Sequence, residues 1–341
     1  MEVQNPVRSS LALGLTEQEQ ASFDALLELC RSRGYLDRPV GLSNEDVRDG
    51  LNDETTLLRF LRGRSFDVDG ALKQFEEAQE IRSSVGATAA YDTISINDFE
   101  NTKNMYPHWS GRRDKRGLPI CIFDIASLDT ATTTSYGKDR TSPDATRRII
   151  LCHDYLTRFV LPLCSAMRDR SDPDIPLTSA VYLVDIASFT LKQAWNVRAY
   201  AQDISKLLAT CYPEVVARVY VLNASSYFSK IWSVLKKFID PRTAEKLVIV
   251  QKEDVLPTLK ETIDIENIPI QYGGRLDIKP VDFATQLCSA IKQAIKWERP
   301  LHEIPAGPIK YVVDEHGGRS IVAVGTTTAG KMRKELVARL P

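Results

Sequence analysis

Between residues 212 and 250 the spacing of apolar positions changes period twice. Residues 218–223 (RVYVLN) form a short apolar run of the buried-strand kind. Phe228, Ile231, Trp232, Leu235 and Phe238 then recur at i, i+3, i+4, i+7 and i+10, and after Asp240-Pro241 residues 246–250 (KLVIV) return to a strand pattern. The middle segment predicts an amphipathic helix over 227–239, with Lys230, Lys236 and Lys237 off its apolar stripe. A basic helix with Trp and Phe on its oily side suits a protein core or a membrane interface.

The same patterning organises the rest of the chain. Residues 1–15 are expected to be disordered. Thr16 and Glu19 form a capping-box pattern opening a helix through Arg31, with Phe23, Leu26, Leu27 and Cys30 on one face. Helices are predicted over 53–64 (DETTLLRFLRGR) and 68–84, and no strand pattern occurs before about residue 100. From residue 105 the pattern changes: 118–124 (LPICIFD) follows a turn at 114–117, 180–185 (AVYLVD) is a second buried-type strand, and helices over 145–168 and 192–210 alternate with the strands. Such alternation predicts an α/β fold: a helical N-terminal lobe over 1–100, then a lobe over 101–300 built on a mainly parallel β-sheet with right-handed βα crossovers. Residues 281–297 read as one more helix, and 301–341 as a β-rich tail with a terminal helix and no assigned role.

Composition narrows the partners. The 341 residues are 43% hydrophobic and 26% charged, with formal net charge −1, so nothing draws the whole molecule to nucleic acid and an anionic partner must meet a local patch. Six scattered cysteines without a C-x-x-C pair read as reduced core residues of a cytosolic protein. The first fifteen residues lack signal-peptide character, and no apolar run approaches the ~20 residues of a spanning helix.

Several chemical patterns are weaker than they look. Residues 325–331 (GTTTAGK) nearly match a phosphate-binding loop, but Met332 stands where a magnesium-binding hydroxyl belongs and only nine residues follow it. A nucleotide-binding enzyme is therefore the least favoured reading. His153-Asp154 is half of a metal-hydrolase pattern without a second spaced pair, so His153 is expected to be structural or superficial. Neither a G-x-S-x-G elbow nor a G-x-G-x-x-G loop occurs. What remains is a dispersed polar set, Arg64, Glu214, Thr243 and Lys246.

Residues 55–72 (TTLLRFLRGRSFDVDGAL), the strand ending in Asp185, CYPE at 211–214, FIDPRTAEKL at 238–247 and ENIPIQYGG at 266–274 together resemble the CRAL-TRIO lipid-binding family, in its fungal and plant phosphatidylinositol transfer branch. Their order and spacing cover residues 53–275. The resemblance implies a helical lobe and an α/β lobe enclosing an apolar lipid cavity, and a soluble, non-enzymatic carrier of phosphatidylinositol, without cofactor, metal or catalytic residue. It implies a headgroup site at Arg64, Glu214, Thr243 and Lys246, and a gate helix lining the cavity with Phe228, Ile231, Trp232, Leu235 and Phe238. Lys230, Lys236, Lys237 and Arg242 would face an anionic membrane. Ser65 departs from the lysine frequent there in the family, and Ala180 and Tyr182 replace the small hydroxyls of choline-lipid binders. The implied setting is cytoplasmic and peripheral to Golgi, endosomal or other internal membranes. The implied partners are phosphatidylinositol, a second apolar lipid, a transient membrane surface and a lipid kinase, with no nucleic acid. A lipid sensor that regulates a kinase without bulk transfer shares all these features.

Overall fold

The structure, a computed structural model, describes residues 14–125, 128, 140, 142–278, 285–314 and 317–340. The expected disorder of residues 1–15 falls almost entirely outside them.

The N-terminal lobe is helical as patterned. α1 (Glu17–Ser32) opens on the Thr16/Glu19 capping box and buries Phe23, Leu26, Leu27 and Cys30. α2 (Glu54–Gly63) and α3 (Val68–Ser84) pack on it, with Phe60 and Phe75 edge-to-face at 5.1 Å between centroids. Two short helices follow, α4 (Ala87–Thr93) and α5 (Ile96–Lys103).

A five-stranded sheet comes next, in the order β1 (His108–Arg113), β2 (Pro119–Asp124), β3 (Ala180–Asp185), β4 (Val216–Ala224), β5 (Leu247–Gln251). β1 pairs antiparallel with β2 and every later pair is parallel. β1 carries the sequence HWSGRR, which has no apolar alternation, so only its partner strand reveals it. The 114–117 turn joins them: Asp114 accepts from the amides of Arg116 and Leu118, and Gly117 takes the positive φ of 89° that the turn demands.

Three helical elements link the parallel strands. α6 (Pro143–Asp154) runs on through a π-helical stretch, Tyr155–Val160, and a last α-helical turn, Leu161–Ala166; α7 (Leu191–Cys211) and the pair α8 (Phe228–Leu235) and α9 (Pro241–Glu245) follow β3 and β4. Pro143–Ala166 is 24 residues and contains an 18-residue window of mean hydropathy 1.2, enough by length and composition to cross a membrane, contrary to the sequence expectation; 78% of that window is buried inside the fold, so it is a core helix here. One face of the sheet presents Leu118, Ile120, Val181, Leu183, Tyr220 and Leu222 to α10 (Val255–Thr262) and the 263–272 segment. The opposite face, with Phe123 and Val221, packs against α7 and α8 through Phe189, Val197, Tyr200 and Phe228.

The C-terminal region departs from expectation twice. Instead of a helix over 281–297, the described part holds only α11 (Ser289–Ala294) and a two-residue strand, β6 (Lys296–Trp297). The preceding backbone is claimed elsewhere: Cys288 N–H donates to Gly111 O and Thr285 bridges to Ile304. The expected terminal helix is instead β9 (Met332–Arg339), which closes a second sheet in the order β6-β9-β8-β7 with β7 (Ile309–Val313) and β8 (Arg319–Thr326). Its sequence, MRKELVAR, favours helix locally, but seven register pairs with β8 and burial of Val337 and Ala338 override that preference. Thr327–Lys331 therefore turns a β-hairpin, and no helix N-terminus follows it as a phosphate-binding loop requires.

Candidate functional site

The end of α2, the turn at 211–214 and the start of α9 meet. A side chain at Gly63 would approach Pro213 Cβ to 2.9 Å and Arg242 Nη1 to 4.0 Å, so the absence of one allows the contact. Beyond Gly63 the chain turns sharply, with Ser65 and Phe66 at φ 53° and 64°. Arg64 stands exposed at this corner and its Nε donates to Gln74 Oε1 at 2.6 Å. Glu214, at φ 57°, pairs with Lys246 Nζ at 2.8 Å, both about one-quarter exposed. Thr243 lies in α9, its amide donating to Asp240 Oδ1, and its hydroxyl has no hydrogen-bond partner among the described residues. The sequence-predicted set thus borders one corner of the molecule.

Two cations that the sequence reading left out of this set join it. Arg62 is half-buried; desolvation lowers its guanidinium pKa, while Glu19 and then Glu214 pull it back up. Arg242, expected to face a membrane, also borders this corner through its approach to Gly63. Neither guanidinium has a hydrogen bond or ion pair among the described residues. Lys246 and Arg62 thus both act on the Glu214 carboxylate, which puts cationic donors and a hydrogen-bond acceptor side by side.

The turn that carries Glu214 is anchored from below. Tyr212 donates its phenol hydrogen to Asp154 Oδ1 at 2.7 Å and accepts from Arg82 Nη1 at 3.0 Å. Arg82 grips Asp154 with two bonds of 2.7 Å, and all three side chains are buried. Burial alone would raise the Asp154 carboxyl pKa, but the Arg82 guanidinium foremost holds it below the ordinary value. His153, read beside Asp154 as half of a metal pattern, is buried with Nδ1 at 2.9 Å from Ile149 O and serves the core.

The predicted gate is shorter than its apolar stripe: α8 ends at Leu235 and the chain turns before Asp240 caps α9. Phe228 is buried against β4 and α7, Trp232 stacks on it at 6.4 Å, and Phe238 is half-buried. Ile231 and Leu235 lie on the same helix. Lys230, Lys236 and Lys237 are exposed. Nearby, Trp195 at the start of α7 is 58% exposed with the Arg198 guanidinium stacked 4.2 Å over its ring, a feature that helical periodicity alone did not distinguish from core. A cleft of about 340 Å³, its mouth included, lies between α5, β1, β2 and α6 and is lined by Phe99, Tyr106, Trp109, Cys152 and Tyr155 among others. Most of that is open to solvent and the enclosed space is about 20 Å³, far below ligand pockets (~300–1,000 Å³); side chains also fill the layer between the sheet and α7/α8.

Comparison with known proteins matches this architecture. The profile of the CRAL/TRIO domain fits residues 103–274, and that of the CRAL/TRIO N-terminal domain fits residues 22–77. The chain is 25% identical to the SEC14 cytosolic factor of Eremothecium gossypii, over 86% of this chain and 87% of that protein. It is 27% identical to the phosphatidylinositol/phosphatidylcholine transfer protein SFH11 of Arabidopsis thaliana, over 70% of this chain and 61% of that one. The solved structure of Sfh5 superposes with a TM-score of 0.55 at 12% identity, covering 81% of this chain and 93% of that chain, which supports the fold. The chain belongs to the CRAL/TRIO family, in its fungal and plant SEC14-type branch.

Proposed function

We propose that the protein binds phosphatidylinositol in a gated cavity and moves or presents it between membranes. The headgroup lies at Arg64, Glu214, Thr243 and Lys246, and the acyl chains lie between the sheet and α7/α8. The observation that carries this reading is that Lys246 and Arg62 both act on the Glu214 carboxylate, while Arg242 approaches Gly63, the residue directly before Arg64. A phosphodiester satisfies the guanidinium groups through charge-assisted bonds, and Glu214, while orienting Lys246, can accept from inositol hydroxyls. The names of the SEC14-type relatives, one a phosphatidylinositol/phosphatidylcholine transfer protein and one a cytosolic factor, support a carrier working from the cytoplasm.

Side chains fill the acyl layer in this conformation, so loading requires α8 to swing away from Phe123, Val221 and Phe228's other neighbours. At ~0.8 kcal/mol per buried CH₂, two long chains gain well over ~10 kcal/mol from the cavity, so release into water is slow and exchange takes place on a membrane. Lys230, Lys236, Lys237 and Arg242 attract the anionic surface of an internal membrane. Ala180 and Tyr182 occupy the buried face of β3, where a second, apolar lipid would contact carbon and one phenol rather than a group of small hydroxyls.

Native mass spectrometry of the purified protein tests the reading. The wild type is expected to retain a phosphatidylinositol mass, and Lys246→Ala to retain roughly tenfold less through loss of a charged hydrogen bond. Recovery of neutral lipid alone would overturn the headgroup assignment.

A further inference from the structure

Two polar side chains are buried on α3: Arg82, in the ion pair with Asp154, and Gln74, 4% exposed. Gln74 has no charge to neutralise, yet both ends of its amide are used. Its Oε1 accepts from Arg64 Nε at 2.6 Å, and its Nε2 donates to Ala209 O at 2.8 Å and Thr210 O at 3.1 Å. Arg64 Nε can only donate and the two carbonyls can only accept, so the amide has a single satisfied orientation. Ala209 and Thr210 are in the last turn of α7, directly before the segment that carries Tyr212 and Glu214.

One side chain therefore touches both halves of the headgroup corner, which derive from segments 135 residues or more apart in sequence. A guanidinium is planar, so holding Nε fixes the plane of the whole group while leaving its two terminal nitrogens without a protein partner among the described residues. On the proposed reading of the site, we infer that Gln74 is a positioning residue for headgroup recognition. It presets the Arg64 guanidinium for two-point contact with a phosphate and keeps it in register with Glu214. Ser65 supplies no neighbouring cation, so placement of Arg64 decides more of the selectivity for an inositol phosphate headgroup. A flexible Arg64 would lose side-chain entropy on binding, and the Gln74 bond removes that loss beforehand.

The test is a double-mutant cycle on phosphatidylinositol loading from vesicles of phosphatidylinositol and phosphatidylcholine. Gln74→Met keeps length and shape but loses all three hydrogen bonds. It is expected to load about tenfold less phosphatidylinositol than wild type. In an Arg64→Ala background the same change is expected to alter loading less than twofold, because there is no longer a guanidinium to place. Unchanged loading by a folded Gln74→Met protein, or an undiminished penalty in the Arg64→Ala background, overturns the inference and leaves the headgroup site standing. Should wild type and Arg64→Ala load phosphatidylinositol equally, the headgroup reading falls, and this inference with it. If Gln74→Met fails to fold, the wild type decides the matter. The Arg64 Hε resonance, identified by its absence in Arg64→Lys, is expected to be protected from solvent exchange before lipid is added; rapid exchange overturns the inference.

Discussion

His108, the first residue of β1, has its half-buried ring in the cleft between α5 and the sheet. Desolvation, reinforced by the nearby Lys103 ammonium, lowers its pKa to about 4, against the weaker pull of the Tyr106 carbonyl. The unfolded chain takes up this proton near pH 6.5 and the folded one only near 4, so the neutral-ring stability is complete above pH 6.5 and is lost as pH falls through that window. Asp49 works oppositely: burial raises its carboxyl to about 6, so it favours the folded state as pH falls. The difference between wild type and His108→Phe, rather than either profile alone, isolates the histidine. Denaturant titrations are expected to show that wild type loses on the order of 2 kcal/mol relative to the variant between pH 7 and pH 4; parallel profiles would refute this. At the same scale, short segments in a fixed order single out Arg64, Glu214 and Lys246, of which the structure pairs Glu214 with Lys246. Gln74 was not: a glutamine in an amphipathic helix carries no sign that its partners are a guanidinium on α2 and two carbonyls on α7. Nor does CYPE reveal that Tyr212 reaches Asp154.

At the scale of elements, patterning succeeded where burial is one-sided and failed where pairing decides. The four parallel strands and α7 matched their apolar runs. β1 has no such run, and β9 has a helical composition that pairing with β8 overrides. α8 stops at Leu235 although the apolar spacing continues to Phe238, because the chain must turn for Asp240 to cap α9 through the Thr243 amide. Periodicity also gave no warning of Trp195. Its exposed ring with a stacked arginine suits the interfacial zone of a bilayer, where an amphipathic aromatic has one wet and one apolar side. Trp195→Ala is expected to weaken binding to anionic vesicles in a sedimentation assay by on the order of 1–2 kcal/mol, about tenfold, from lost apolar contact. Lipid content by native mass spectrometry should stay unchanged, since the exposed ring is outside the proposed acyl layer. Equal sedimentation of the two proteins would rule out membrane contact by α7.

The molecule as a whole is tied together by its C-terminal sheet. Tyr311 on β7 is 1% exposed, its ring 5.8 Å from Phe159, and one buried cluster includes Tyr91, Phe99, Phe159, Ile309, Ile321 and Val337. Polar contacts repeat the connection: Tyr91 donates to Ile309 O, and Lys310, 4% exposed, is held by Asp46 and Asp92. The tail thus completes the hydrophobic core of the helical lobe, which neither local pattern nor resemblance announced because the contacts join residues more than 200 positions apart. Tyr311 separates packing from polarity. Its hydroxyl is buried without a hydrogen-bond partner among the described residues, so Tyr311→Phe removes an unsatisfied group while keeping the ring. It is expected to be neutral or to stabilise by about 1 kcal/mol. Tyr311→Ala leaves a cavity between the lobe and the tail and is expected to cost about 3–5 kcal/mol. Because the cluster is shared, that loss should move one cooperative transition, with helix signal and tail-strand hydrogen exchange shifting together. Early exchange of β7–β9 in Tyr311→Ala, with the helical signal intact, would instead make the tail an independent unit resting on the lobe.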